Sequence, residues 1–212
     1  SVEGDQATFH INESSHVNPN HLQYFHIAGR LLAKGLYDSL PMQFSFTRSL
    51  QKIMLGRPLL LSDLNELDQT LVNSLNWIAD NEIAGVVEEM TFSIDHEMFG
   101  EHHQVDLKPN GSNILVTDEN KFEFIRLVIL YKLYGSSKAQ IDAFLDGLYS
   151  FIPKNLLEPF CVQEWNNIIS GSAPIDVDDW QRNTRYLDIY TAKTIQVVYF
   201  WRAVRSFTDK DR

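Results

Sequence analysis

The chain has 212 residues, 44 % of them apolar and 22 % charged, and 18 Lys and Arg against 28 Asp and Glu give a formal charge of −10. That excess of acid argues against a phosphate-backbone binder, which needs a basic stripe, and no window approaches the roughly 20 apolar residues of a membrane helix. Cys161 is the single cysteine, which excludes an internal disulfide and every zinc site built on two thiolates.

Residues 1–17 are polar and weakly patterned, with Val2, Phe9, Ile11 and Val17 as apolar anchors. Order is expected from Asn18-Pro19, an N-cap residue followed by one suited to a first helical turn. The spacing of Leu22, Phe25, Ala28, Leu32 and Leu36 predicts a helix over 21–39, ended by Pro41. Ile27, Leu31 and Tyr37 make it apolar on most sides, and Gly29 and Gly35 permit close approach, so it reads as a buried central helix. A second helix over 47–55 stops at Gly56, before Pro58. Residues 59–81 read as a turn and a helix, with Asp68 as N-cap and Leu71, Leu75 and Ile78 spaced i, i+4, i+7.

The period then changes. Met90, Phe92 and Ile94 alternate with Glu89, Thr91 and Ser93 as in a half-buried strand. Residues 104–107 and 113–116 supply two more short strands around the turn Lys108-Pro109-Asn110-Gly111. Thr117-Asp118 is expected to cap a helix over 119–133, closed by Gly135. Residues 138–151 carry Ile141, Phe144, Leu145 and Leu148 on one helical face before Pro153. Short helices follow near Leu156, at 164–169 and at 178–182, with a longer one over 192–207. The sum is an α+β chain, mainly α, with a small antiparallel sheet at about 86–116 in a subdomain inserted between helical blocks.

Candidate chemistry is sparse. His96-Glu97-Met98-Phe99-Gly100-Glu101-His102-His103 collects potential metal ligands, but a helical zinc-hydrolase site needs two His four apart with Glu beside the first. Here the pairs are six or seven apart with Gly100 between them, so the expectation is a solvated hairpin loop and no metal. The Gly-x-Ser-x-Gly, Gly-x-x-x-x-Gly-Lys and Gly-x-Gly-x-x-Gly signatures are missing, and no cofactor is implied. Cys161, in Pro159-Phe160-Cys161-Val162-Gln163-Glu164-Trp165, stands where a helix begins and a capping side chain normally sits. A helix N-terminus can activate a thiol, so one reading is a self-contained thiol enzyme with a distant His. The preferred reading is a small structural hydrophobe, since no His lies within fifty residues on either side. Leu71, Leu75 and Ile78 form one stripe of their helix while Val72 and Trp77 project elsewhere, and Phe122 and Phe124 point in separate directions. Whichever set does not fill the core is an exposed apolar patch that marks a partner site. The N-terminus lacks the regions of a signal peptide, and the composition points to a reducing, cytoplasmic or nuclear setting.

His21-Leu22-Gln23-Tyr24-Phe25-His26-Ile27-Ala28-Gly29-Arg30, followed by Ala33-Lys34-Gly35-Leu36-Tyr37-Asp38, resembles the central helix of HECT-type ubiquitin ligases. Phe46-Thr47-Arg48-Ser49, Leu55-Gly56-Arg57-Pro58 and Met90-Thr91-Phe92-Ser93 match in the same order. The most specific match is Leu107-Lys108-Pro109-Asn110-Gly111-Ser112-Asn113-Ile114-Leu115-Val116-Thr117-Asp118-Glu119-Asn120-Lys121. Ile175-Asp176-Val177-Asp178-Asp179 and Phe200-Trp201-Arg202-Ala203-Val204-Arg205-Ser206-Phe207 complete the series, the last being most similar to the giant Mule/Tom-type branch.

The resemblance implies a partial HECT N-lobe over 1–212, with a helical main subdomain and a small inserted subdomain at about 58–132. The C-lobe and its catalytic cysteine would lie outside the chain, leaving this piece without a catalytic residue and inactive alone. The implied partners are a ubiquitin-conjugating enzyme (E2), ubiquitin, and protein substrates held by regions elsewhere. The implied task is to hold the ubiquitin-loaded E2 for transthiolation to the C-lobe cysteine and onward transfer to a substrate lysine. Carried over position by position, the apolar floor of the family's E2 groove falls on Leu71, Leu75, Ile78 and Phe124. Its edge falls on Ser74, Asn81 and Met90. Some relatives have an aromatic residue where Asn81 stands and apolar residues where Glu88-Glu89 stands, which bears on E2 choice. The rival reading from another class is a non-catalytic helical protein-interaction scaffold.

Overall fold

The computed structural model describes residues 8–40, 42, 44–86, 89–98, 101–171 and 176–207. Val2, Pro41, Glu88, Phe99, Gly100 and Ile175, named above, lie outside that set. A short strand β1 (Thr8–Phe9) precedes helix α1 (His21–Tyr37) and pairs in parallel with β2 (Ser45–Phe46). Then come α2 (Arg48–Met54), α3 (Gln69–Asp80), an antiparallel hairpin of β3 (Ser93–Met98) and β4 (Glu101–Asp106), and α4 (Lys121–Leu133). Helices α5 (Lys138–Tyr149), α6 (Lys154–Leu157), α7 (Val162–Ser170), α8 (Val177–Arg182) and α9 (Ile195–Ser206) complete the chain. The class is mainly α with a two-stranded antiparallel sheet, and no helix among the described residues is long and apolar enough to cross a membrane.

The chain divides into two compact units, 1–171 and 172–212. The first holds two apolar clusters. One gathers Leu32, Leu50, Met54, Ile141, Phe144 and Trp165. The other gathers Val72, Leu75, Ile83, Phe92, Phe124 and Val128. The second unit has its own small cluster of Val177, Trp201 and Val204, where the Trp201 indole donates to the Tyr186 hydroxyl at 2.8 Å.

Helices α1 and α5 meet backbone to backbone. A Cβ on Gly29 would lie 2.0 Å from the Phe144 carbonyl oxygen, and one on Gly147 would lie 2.0 Å from that of His26. Only glycine permits such an approach, and His26 Nδ1 sits 3.0 Å from Asp146 Oδ2 beside the crossing. The central helix is nevertheless not buried all round: Tyr24, Ile27 and Leu31 are 60 %, 50 % and 64 % exposed. Its glycine side faces α5, while its other apolar stripe borders a cavity of about 510 Å³ lined by Phe9, Phe25, Leu31, Phe44 and Phe46 among others.

Two other expectations shift. The helix begins at His21, as the spacing predicts, but its N-cap is Asn20 and not Asn18, which donates its N–H to the Ser15 carbonyl to close a 3-10 turn over Glu13–Val17. Of the expected strands, 113–116 meets 90–92 only through a single bridge between Thr91 and Leu115, while Ser93 and Ile94 pair with residues 105–106 of the strand expected at 104–107. The ladder instead runs through the His-rich segment, from Ser93 opposite Asp106 to Met98 opposite Glu101. Inward alternation continues past Ile94 to a polar residue, His96, which is buried with its ring edge-on to Tyr131. A periodicity reading of apolar residues stops where the inward residue turns polar.

A buried ion pair ties the two clusters together. Lys52 on α2 places Nζ 2.6 Å from Asp63 Oδ2, which also accepts the Leu60 N–H at 2.8 Å. Arg48 Nε lies 3.4 Å from the other Asp63 oxygen. Removing one member of such a pair strands the other charge in the interior. Asp63→Ala is therefore expected to lower the unfolding free energy by about 3–5 kcal/mol in urea titrations. Gly147→Ala is expected to lower it by about 1–3 kcal/mol, since the clash is with backbone that no rotamer relieves.

Candidate functional site

Helix α3 begins where the sequence reading puts it. Asp68 Oδ1 accepts the Leu71 N–H at 2.9 Å, satisfying one of the open donors of the first turn. Val72 and Leu75 then point into the second cluster, with Leu71 and Ile78 half-buried against it. Both candidate stripes thus contribute to one core, and Trp77 is the residue left outside, 44 % exposed. On α4 the choice falls the other way: Phe124 is buried, edge-on to Phe92 with ring centroids 5.7 Å apart, while Phe122 is exposed.

The seven positions given by the resemblance therefore fall into layers. Leu75 and Phe124 are core residues, 2 % and 5 % exposed. Leu71, Ile78 and Met90 are half-buried and pack against them. Ser74 and Asn81 are exposed on α3 and at its C-terminal cap. The Ser74 hydroxyl donates to the Thr70 carbonyl of its own helix, at 3.1 Å, and the Asn81 amide donates to the Trp77 carbonyl at 2.8 Å. Five apolar residues come together in one cluster, with two polar residues along its α3 margin.

A polar framework that apolar spacing does not announce lies beside these residues. Asp118 is not the cap of α4; Asn120 holds that position, and its side chain accepts the Thr117 N–H at 2.8 Å. Asp118 instead accepts the N–H groups of Ile83 and Ala84, and those bonds, the Ile83 one foremost, hold its carboxyl below the usual carboxylate range. Lys121 donates to the Asn81 carbonyl at 2.6 Å. Lys108 lies 3.6 Å from the centre of the Phe92 ring and 3.0 Å from Glu123 Oε2. The signal was present as an Asp–Lys pair at i, i+3, but Asp before a helix reads first as a cap.

Among the described residues, no group of three His, Cys, Asp or Glu is placed to hold a metal. Cys161 is the N-cap of α7, as its position suggests, and it is exposed, unlike the structural hydrophobe expected. Its Sγ accepts the Glu164 N–H at 3.4 Å while its own N–H donates to the Glu164 carboxylate at 2.8 Å, a capping box with sulfur in place of oxygen. That bond holds the Glu164 carboxyl below the usual range.

The model of the HECT-domain (ubiquitin-transferase) family matches residues 2–212. The chain belongs to that family. It is 43 % identical over 209 residues to the E3 ubiquitin-protein ligase HUWE1 of Mus musculus, covering 99 % of this chain and 5 % of that protein. It is 43 % identical over 211 residues to the E3 ubiquitin-protein ligase TOM1 of Saccharomyces cerevisiae, covering 100 % of this chain and 6 % of that protein. With the E3 ubiquitin-protein ligase HACE1 of Danio rerio the identity is 39 % over 208 residues, 98 % of this chain and 23 % of the relative. The HECT chain thus spans a small fraction of the length of the curated relatives it matches. In this HECT chain the thiol at position 161 serves as a helix cap, a role serine fills at least as well. Cys161→Ser is expected to leave the urea midpoint unchanged or raised. A fall of the unfolding free energy by more than about 1 kcal/mol would show that the sulfur does more than cap.

Proposed function

We propose that this HECT chain is an E2-docking N-lobe, and that the residues clustered between α3 and α4 receive the E2. The observation that carries the reading is the layering described above: half-buried Leu71, Ile78 and Met90 lie on a firm base of Leu75 and Phe124. Ser74 and Asn81 are exposed at the margin. Such a surface suits a partner that presents an apolar anchor with polar groups around it, the arrangement in which a few central residues carry most of the binding energy. The small subdomain at about 58–132 is the carrier of this surface in the proposal, and its attachment through Lys52 and Asp63 keeps the docked partner in a defined place.

The chemistry assigned to the platform is positional. The E2 thioester carbonyl would be held near a cysteine thiolate supplied by a C-lobe outside this chain. The thiolate attacks, the E2 thiolate leaves, and ubiquitin passes to the new sulfur before a substrate lysine amine takes it. Holding two reactants together in this way replaces a bimolecular encounter and lowers the entropic part of the barrier. On this reading the chain contributes no catalytic residue of its own.

Leu75 and Phe124 are poor probes of the proposal. Truncating a buried Phe costs about 3–5 kcal/mol of stability, so lost binding would not be separable from lost folding. Ser74 is the sharper probe because it is exposed and, among the described residues, its hydroxyl bonds only to its own helix. Ser74→Arg is expected to weaken E2 binding, measured by calorimetry, by at least about tenfold, or about 1.4 kcal/mol, with an unchanged melting temperature. Equal affinity in wild type and variant would contradict the assignment of α3. A folded wild type that binds no member of an E2 panel would favour the scaffold reading instead.

A further inference from the structure

The segment that leaves α3 is held by two charged side chains which the groove reading does not use. Asp118, in the turn before α4, accepts the Ile83 N–H through Oδ1 at 3.1 Å and the Ala84 N–H through Oδ2 at 3.3 Å. Lys121, in the first turn of α4, donates to the Asn81 carbonyl at 2.6 Å and lies 3.2 Å from Asp118 Oδ1. Two side chains from one side thus satisfy three consecutive-region backbone groups of 81–84 on the other. Ile83, carried by that segment, is buried in the second cluster.

Burying most of a lysine is unfavourable unless its ammonium is paired and hydrogen-bonded. Lys121 is buried, and its acceptors are a loop carbonyl and the carboxylate that holds the same loop. Asn81 is consequently fixed at both ends, its carbonyl by Lys121 and its side-chain amide by the Trp77 carbonyl. Apolar packing of α3 on α4 is non-directional, whereas these directional bonds specify where the end of α3 stands relative to the start of α4.

We infer that Asp118 and Lys121 are positioning residues for E2 docking: they lock the C-terminal end of α3 against α4 and so place Ile78 and Asn81 for the incoming partner. The inference rests on the E2-platform reading above. It assigns neither residue a contact with the E2. Their effect passes through the 81–84 backbone.

The test uses the 212-residue chain, a panel of purified E2 enzymes from which the tightest binder becomes the probe, and amide hydrogen exchange. Lys121→Met keeps the aliphatic stem and removes the ammonium; Asp118→Asn keeps one acceptor oxygen and removes the charge. Both variants are expected to speed exchange at Ile83 and Ala84 and to weaken E2 binding, by roughly tenfold for Lys121→Met and less for Asp118→Asn. Lys121→Arg, which retains a cationic donor, is expected to recover most of the affinity. A purely structural role would lower the melting temperature and leave the affinity of the folded protein unchanged, which would overturn the inference. Faster exchange with unaltered affinity would overturn it too, as would exchange at Ile83 and Ala84 that does not respond. Ser74→Arg separates the two readings: it is expected to lose E2 while Ile83 and Ala84 stay protected. If wild type binds no E2 in the panel, the platform reading fails and takes this inference with it.

Discussion

The contact on which the first unit depends is the crossing of α1 and α5 at Gly29 and Gly147. Each glycine faces a carbonyl of the opposite helix with no space for a methyl group. That closeness brings Leu32, Ala33, Phe144 and Leu148 into one cluster, against which α2 and α7 close with Leu50, Met54, Trp165 and Ile169. The arrangement is stiff because its closest contacts are between backbones, which cannot repack as side chains do. From α2 the Lys52–Asp63 pair then reaches across to the second cluster, whose 3-10 turn at Leu61–Leu64 it anchors.

Lysine recurs as the residue that fastens the second cluster. Lys52 meets Asp63, Lys121 meets Asp118 and the Asn81 carbonyl, and Lys108 covers the Phe92 ring and meets Glu123. In a chain with 28 acidic residues against 18 basic ones, several of the few cations face inward or across elements. A long aliphatic stem lets lysine cross an apolar layer and still deliver its charge to an acceptor. The net charge of −10 is thus joined to a particular architecture, in which basic groups serve as internal ties.

Much of the fold was legible in the sequence because helices announce themselves twice, by apolar spacing and by their ends. Asp68 capping α3, Gly56 with φ +64° after α2, and Cys161 at the start of α7 were all readable from residue type and place. What periodicity could not supply was the identity of the neighbour. The apolar residues of α1 on the side away from α5 look the same in sequence as those on the glycine side, yet Ile27 and Leu31 are exposed. The strand through His96 escapes an apolar pattern because its inward residue is polar, and Asp118 reads as a cap because a carboxylate before a helix has two equally ordinary uses. The site residues came from resemblance to HECT ligases and not from spacing, since Leu75 and Phe124 taken alone are indistinguishable from any core residue. Family membership is now carried by a match over 2–212 and by relatives of about 40 % identity.

The proposed E2 dock lies over α3 and the start of α4. Amide hydrogen exchange across the whole chain, with and without a saturating E2, tests it most directly, because it reports every surface at once. Slowed exchange is expected in α3, in the 81–84 segment and in the first turn of α4, with α1 unchanged. Protection confined to the exposed Tyr24, Ile27 and Leu31 side of α1, with α3 unaffected, would contradict it.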